Sequence, residues 1–277
     1  MMSRSAAADA VDARTPDHGV PHVTLVHGSA AGVTQWDALI AHLPGAWHVQ
    51  TPRLAGYDDP QFDFEAPYDV QVEVARIAPP PHGTGPRVLM GHSMGGLVSA
   101  AACLAHPKRY SALVLIEPVL FGLLSQPGFA AVHHDVRSHM RYFTSLQDPT
   151  RQLDAARAMF HFWKLYDAWE AQSPARREQA ASCMHKVRLE CRLFDDPAVH
   201  ADRLSALDGL PVLWVTGSES PSHIRSVQRI FCERVPHTEV IEIPGGGHLC
   251  HLSHPGELAA LLAGLVSRLQ NKQPAPA

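Results

Sequence analysis

The hexapeptide Gly91-His92-Ser93-Met94-Gly95-Gly96 constrains this chain more than any other stretch of it. The apolar run Arg87-Val88-Leu89-Met90 leads into it, and the small-residue run Leu97 to His106 follows at once. A serine flanked by glycines at a strand-to-helix junction occupies a tight, strained turn, where the missing Cβ atoms let neighbouring backbone approach. Such a turn raises the Ser93 hydroxyl above the edge of a sheet. Neither G-x-x-x-x-G-K-[ST] nor G-x-G-x-x-G occurs, so a phosphate-cradling loop is not indicated.

The strand and helix around Ser93 belong to a longer alternation. Strands are expected over His22 to His27, Trp47 to Pro52, Arg87 to Gly91, Ala112 to Ile116, Pro211 to Thr216 and Thr238 to Ile243. Between them lie helical patterns at Val33 to His42, Tyr68 to Ile77, Gly95 to His106, Ser222 to Arg234 and Pro255 to Leu269. Ser222 opens one of these helices, and Ser253 or His254 precedes a proline at a first-turn position in the last. Short apolar runs that alternate with longer helices predict βαβ units and a largely parallel sheet. With 45% hydrophobic residues the chain has the material for a large core.

The alternation fails once. From Phe121 to Ala206 there is no strand pattern, and Asp154 to Arg192 reads as successive amphipathic helices broken at Ser173-Pro174. An all-helical stretch that long between parallel strands is too large for an ordinary crossover and predicts a cap over the carboxyl ends of the sheet. The expected organisation is a core of residues 21–120 and 207–270, a helical cap at 121–206, and flexible tails at 1–20 and 271–277. Pro79-Pro80-Pro81 is the one low-complexity tract.

Charge narrows the partners. Lys and Arg number 23 against 27 Asp and Glu, a net charge of −4, with only 18% charged residues. That balance lacks the basic footprint that nucleic acid or an anionic membrane surface requires, and no apolar run reaches the ~18 residues of a membrane span. A small-molecule substrate is the expected partner, acting on a monomer or homodimer. Cys103, Cys183, Cys191, Cys232 and Cys250 are odd in number, widely spaced and without a C-x-x-C pair, which suits reduced thiols in a cytoplasmic protein. The first twenty residues lack an apolar h-region, so no secretory signal is expected.

The Ser93 motif, the early His27-Gly28 and the late Gly245-Gly246-Gly247-His248 together resemble the α/β-hydrolase fold family over about residues 20–270. The resemblance implies an α/β fold with a mostly parallel central sheet flanked by helices, and a helical cap inserted after the strand ending at Glu117. Only some twenty residues precede His22, so the family's usual first two antiparallel strands have little room. It further implies a nucleophile, an acid and a histidine in that chain order.

Serine is a weak nucleophile until a base removes its proton. His248, late in the chain on a glycine-rich loop, is the candidate base. His251 and His254 follow at three-residue steps, but without H-E-x-x-H or a further ligand at metal spacing neither a metal nor any other cofactor is expected. The acid departs from the commonest family pattern, which puts an aspartate three residues past the glycine ending the penultimate strand. Here Gly217-Ser218-Glu219-Ser220 places Ser220 there. In another branch, which includes haloalkane dehalogenases, the acid ends the strand after the nucleophile helix, and here Leu113-Val114-Leu115-Ile116 runs into Glu117. Glu117 is therefore the favoured acid, with Glu219, Asp195, Asp196 and Asp208 as alternatives. The family's oxyanion hole falls on the backbone N–H groups of Met94 and Ser29.

In the cap, Phe162, Tyr166 and Trp169 fall on one helical face, with Phe160 and Trp163 on its neighbour. Phe162, Trp163 and Tyr166 are the expected substrate-binding residues, and no cluster of Arg or Lys suggests phosphate or coenzyme A recognition. The resemblance implies a cofactor-free carboxylic ester hydrolase for an apolar acyl or aromatic group, working through an acyl-enzyme on Ser93. The same groups also serve thioester hydrolysis, acyl transfer and C–C bond hydrolysis, and some relatives use the pocket as a small-ligand receptor. Epoxide hydrolases and dehalogenases of the family need an aspartate where Ser93 stands.

Overall fold

The computed structural model describes residues 19–57, 59–77 and 85–272. The expected tails and the Pro79-Pro80-Pro81 tract lie outside these residues, apart from the few tail residues next to the fold. In chain order the principal elements are β1 (His22–Val26), α1 (Asp37–Ile40), β2 (His48–Gln50), α2 (Val70–Val74), β3 (Arg87–His92), α3 (Met94–Ala105) and β4 (Ala112–Ile116). There follow α4 (Ala130–Ser145), α5 (Gln152–Phe162), α6 (Tyr166–Glu170), α7 (Pro174–Ser182) and α8 (Met184–Glu190). The chain ends with β5 (Val212–Gly217), α9 (Ser222–Arg234), β6 (Glu239–Ile243), α10 (Cys250–Ser253) and α11 (Pro255–Lys272).

The six strands form one sheet in the order β2-β1-β3-β4-β5-β6, with every pairing parallel. The inner strands β1, β4 and β5 are buried along their whole length, as strands covered on both faces must be, whereas the edge strands β2 and β6 carry most of the exposed positions. Period-2 alternation divides the core. Val23, Leu25, Val88, Met90, Val114 and Ile116 pack with Trp36, Leu39 and the apolar side of α11, while Val26, Leu89, Leu113 and Leu115 face α3 and the helices beyond it.

Two expected helices are shorter than their patterns. The segment from Val33 splits into a 3₁₀ turn, Val33–Trp36, and α1, and the segment from Tyr68 is helical only over α2, whose start is capped by the Asp69 side chain accepting from Gln71 N–H.

From β1 the chain turns to β2 on one side, and from β3 to β4 on the other. The loops after β1 and β3 therefore diverge, opening the crevice at the carboxyl ends where parallel α/β sheets hold ligands. The stretch between β4 and β5 is helical throughout, with α4 to α8 and several 3₁₀ turns and no strand.

Candidate active site

Ser93 joins β3 to α3 with φ 54° and ψ −115°, a conformation that L residues rarely adopt. Its N–H is fixed to Ile116 O at 2.9 Å, and its own carbonyl accepts from Gly96, Leu97 and Val119. The flanking glycines are sterically required. A Cβ on Gly91 would lie 2.1 Å from Gly95 O, and one on Gly95 would lie 2.1 Å from Val26 O.

His248 stands on the loop between β6 and α10. This loop is pressed against the end of β5 so closely that a Cβ on Gly217 would meet Gly246 O at 2.1 Å. The ring N–H of His92 at Nε2 donates to His248 O at 2.9 Å, tying the loop to the serine turn. Burial holds the His92 pKa well below its ordinary value, so the ring is neutral.

Glu117 ends β4 with φ 45° and is fully buried. Its Oε2 lies 3.0 Å from His248 Nδ1, and His248 Nε2 lies 3.2 Å from Ser93 Oγ. A carboxylate can only accept, so the imidazole proton sits on Nδ1 and the lone pair on Nε2 faces the serine hydroxyl. Glu117 Oε1 accepts from Thr216 Oγ1 at 2.7 Å, from Gly217 N–H at 3.0 Å, and from Ser220 Oγ. Burial pushes this carboxyl up, but the hydrogen bond and electrostatic pull of the His248 ring and the two hydroxyls outweigh it and leave the pKa below the ordinary value. Ser220, at the position where the family's commonest acid stands, thus solvates an acid from the neighbouring strand.

The alternative acids lie elsewhere. Glu219 and Asp208 are exposed, Asp195 pairs with Arg137, and Asp196 accepts from the N–H groups of Val70 and Ala198.

A cavity of about 440 Å³ opens on Ser93 and His248 and is lined by Ser29, Met140, Phe143, Phe162 and Trp163. Met94 opens α3, where the first N–H groups have no acceptor within the helix. Phe162 and Trp163 reach the cavity, but Tyr166 does not: it is 51% exposed and packs on His161. The reason is a break in the helix. Lys164 has φ 56°, which ends α5 and restarts the chain as α6, so Phe162 and Tyr166 do not share one face.

The expectation of no basic cluster is also corrected. Arg137 and Arg141 on α4 meet Arg188 on α8 and Arg192 just beyond it along a groove of about 520 Å³, which shares Met140 and Cys191 with the serine cavity. Glu65 and Asp195 line it too. Sequence reasoning also missed His223, whose buried ring stacks on Phe162 at 4.6 Å, and the buried Tyr57 and Glu190. Among the described residues, no set of three or more His, Cys, Asp or Glu is grouped to hold a metal ion, and no helix is long and apolar enough to cross a membrane.

The sequence pattern of the alpha/beta hydrolase family matches residues 25–261. The chain belongs to this family. Among curated relatives it is 24% identical over 257 residues to a pimeloyl-[acyl-carrier protein] methyl ester esterase of Aromatoleum aromaticum, covering 89% of this chain and 98% of that one. Among solved structures, MenH from S. aureus superposes with a TM-score of 0.66 at 17% identity, covering 93% of this chain and 98% of that one. The 2-hydroxy-6-oxo-6-phenylhexa-2,4-dienoate hydrolase from a Rhodococcus species gives 0.65 at 20% identity, covering 90% and 91%. At these identities the two structures share the alpha/beta hydrolase fold with this chain.

Proposed function

We propose that the protein is a carboxylic ester hydrolase with Ser93 as nucleophile, His248 as general base and acid, and Glu117 as the carboxylate that orients and charge-balances His248. The observation that carries this reading is the hydrogen-bonded series from Glu117 through His248 to Ser93, opening on an apolar cavity. Ser93 Oγ attacks the ester carbonyl as His248 Nε2 takes its proton. The oxyanion is received by the N–H groups of Met94 and Ser29, and the imidazolium returns the proton to the leaving alcohol. Water, deprotonated by the same histidine, then releases the acid from the acyl-enzyme. Residues 121–206 serve as the cap, with Phe162 and Trp163 against the acyl or aromatic group.

The arginine groove favours a second, narrower reading, in which the ester group is borne on an anionic carrier. The relative in Aromatoleum is named for an ester on an acyl-carrier protein. Thioester hydrolysis, acyl transfer and C–C hydrolysis use the same three groups, and a ligand receptor would use the cavity alone.

A panel of aryl and methyl esters of varied acyl length, run with a fluorophosphonate probe and a Ser93→Ala control, tests the reading. Turnover and covalent labelling that both vanish in Ser93→Ala are expected. No turnover and no label on Ser93 would make the cavity a receptor site. Preference for carrier-linked over free esters, lost on reversing the charge of Arg141 and Arg192, would select the narrower reading.

A further inference from the structure

The loop that follows β1 is held by side chains on several sides. Gly28 N–H donates to Gln35 Oε1 at 3.2 Å. His27 donates from Nδ1 to Gly28 O at 2.8 Å, while its Nε2 accepts from Leu54 N–H at 3.1 Å. Ala30, with φ 56°, donates its N–H to Tyr57 Oη at 2.9 Å. The Tyr57 hydroxyl then donates to Glu190 Oε2 at 3.0 Å, across 133 residues of sequence.

Glu190 ends α8, in the helical stretch between β4 and β5. One turn earlier Lys186, fully buried, donates to Glu73 Oε1 at 2.7 Å and to the Tyr68 hydroxyl, and its Nζ lies 3.7 Å from Glu190 Oε1. Glu73 Oε2 accepts from Ala55 N–H at 2.8 Å, two residues before Tyr57. The cluster therefore grips both the Tyr57 segment and α8. Buried ion clusters of this kind are seldom worth much stability over apolar replacements, so their retention calls for a geometric reason. Burial pushes the Glu190 carboxyl up to about 7, against the pull of Lys186, so this acid is held in place at an unfavourable site.

We propose that Tyr57 and Glu190 are positioning residues that lock the oxyanion-hole loop at Ser29-Ala30 to the seating of α8, so that the hole is complete only when the helical cap is docked. This rests on the ester hydrolase reading and on Ser29 N–H as an oxyanion donor. A donor displaced by a fraction of an ångström still admits the substrate carbonyl but loses much of its hold on the charged oxygen of the transition state. The loss should therefore fall on kcat rather than KM. Tyr57→Phe removes the acceptor of Ala30 N–H and the donor to Glu190 together.

The experiment is steady-state ester hydrolysis per site titrated with a fluorophosphonate, together with the inhibition constant of a trifluoromethyl ketone, whose adduct with serine carries the oxyanion. Tyr57→Phe should lower kcat by about 10- to 100-fold, below the ~10²–10³ of deleting a donor outright, with KM within about threefold and ketone affinity weakened by the same factor as kcat/KM. Glu190→Ala should match it. Glu190→Gln, which keeps an oxygen to accept from Tyr57, should restore kcat to within about threefold of the parent. A merely structural pair would reduce the titrated sites and the melting temperature but leave kcat per site and ketone affinity alone.

Tyr57→Phe with kcat per site within twofold of the parent overturns the proposal, as does Glu190→Gln as damaging as Glu190→Ala. If Tyr57→Phe does not fold, the two Glu190 variants decide alone. A parent protein that neither turns over esters nor takes the probe sinks the hydrolase reading and this proposal with it; an active parent with unaffected variants sinks this proposal only.

Discussion

The indole of Trp163 lies face to face with the imidazole of His248, ring centroids 3.5 Å apart and planes 3° from parallel. Trp163 reaches that position because α5 ends at Phe162 and Lys164 turns the chain back with a left-handed φ. In the proposed reaction His248 becomes a cation as it takes the Ser93 proton, and an aromatic face within ~6 Å of a desolvated cation is worth about 1–2 kcal/mol. Trp163→Ala should lower kcat about tenfold at unchanged Ser93 labelling stoichiometry, and Trp163→Phe by less. Turnover per labelled site measures it, and an undiminished kcat in the alanine variant would show that the stack is packing alone.

Glu117→Gln keeps the shape of the acid but removes the charge and the fixed acceptor for His248 Nδ1–H. A loss in kcat of about 10³- to 10⁴-fold is expected, as for asparagine substitution of a triad aspartate, with fold retained. Ser220→Ala removes one hydroxyl from the same carboxylate and should cost about tenfold or less, since Thr216 and Gly217 N–H remain. Glu219→Gln, on the exposed loop, should be neutral. Equal losses for Glu117 and Glu219 variants would refute the assignment.

The parts legible in the sequence are those set by short-range patterns. Strand β4 runs Ala112–Ile116, over the same residues its apolar run marks, and Gly91 and Gly95 beside Ser93 are needed because a Cβ on the first would strike the backbone of Gly95 in α3 and one on the second the backbone at the end of β1. Glu117 could be brought to His248 on paper because both lie at carboxyl ends of parallel strands, where the topology converges. The helical stretch was harder. Its apolar periodicity runs through Lys164, but a single left-handed residue there turns Tyr166 outward. Arg137 and Arg192 share a groove only because α4 and the end of α8 pack side by side. Tyr57 and Glu190 meet through tertiary pairing alone, and no local pattern around either residue announces it.

Stability should fall in acid for a reason separate from the active site. Burial, with the neighbouring His248 adding to it, holds the His223 pKa down to about 3; burial does the same for His251, and His92 is also held well below the ordinary value. The unfolded chain protonates these rings below about pH 6.5 while the fold does not, so their contribution is complete above that pH and is lost on descending toward pH 3. Glu190, raised to about 7, works in the opposite sense, stabilising below its unfolded value and losing that contribution as pH rises through 7. The three histidines outnumber it. Urea midpoints should therefore drop between pH 6.5 and 4.5, and His223→Phe should flatten the dependence by about one proton, or ~1.4 kcal/mol per pH unit. A slope that His223→Phe leaves unchanged would show that this ring is charged in the fold.

Gly95 of the serine turn is not equivalent to Gly247 of the histidine loop, and stability measurements can separate them. A Cβ on Gly95 would lie 2.1 Å from Val26 O and 2.5 Å from His27 O, both backbone atoms at the end of β1, so no side-chain rotation relieves the clash. The turn would have to lift off β1, dragging Ser93 with it. Gly95→Ala should therefore destabilise by about 3 kcal/mol or more, roughly 6–12 °C in melting temperature for a chain of this size. Gly247, one residue before His248, has open space where a Cβ would stand, with no atom within 4 Å, and no left-handed φ. Gly247→Ala should stay within about 0.5 kcal/mol of the parent. Differential scanning calorimetry of the two variants side by side checks the contrast, and a Gly95→Ala protein that melts with the parent would mean that the serine turn is not wedged against β1 in solution.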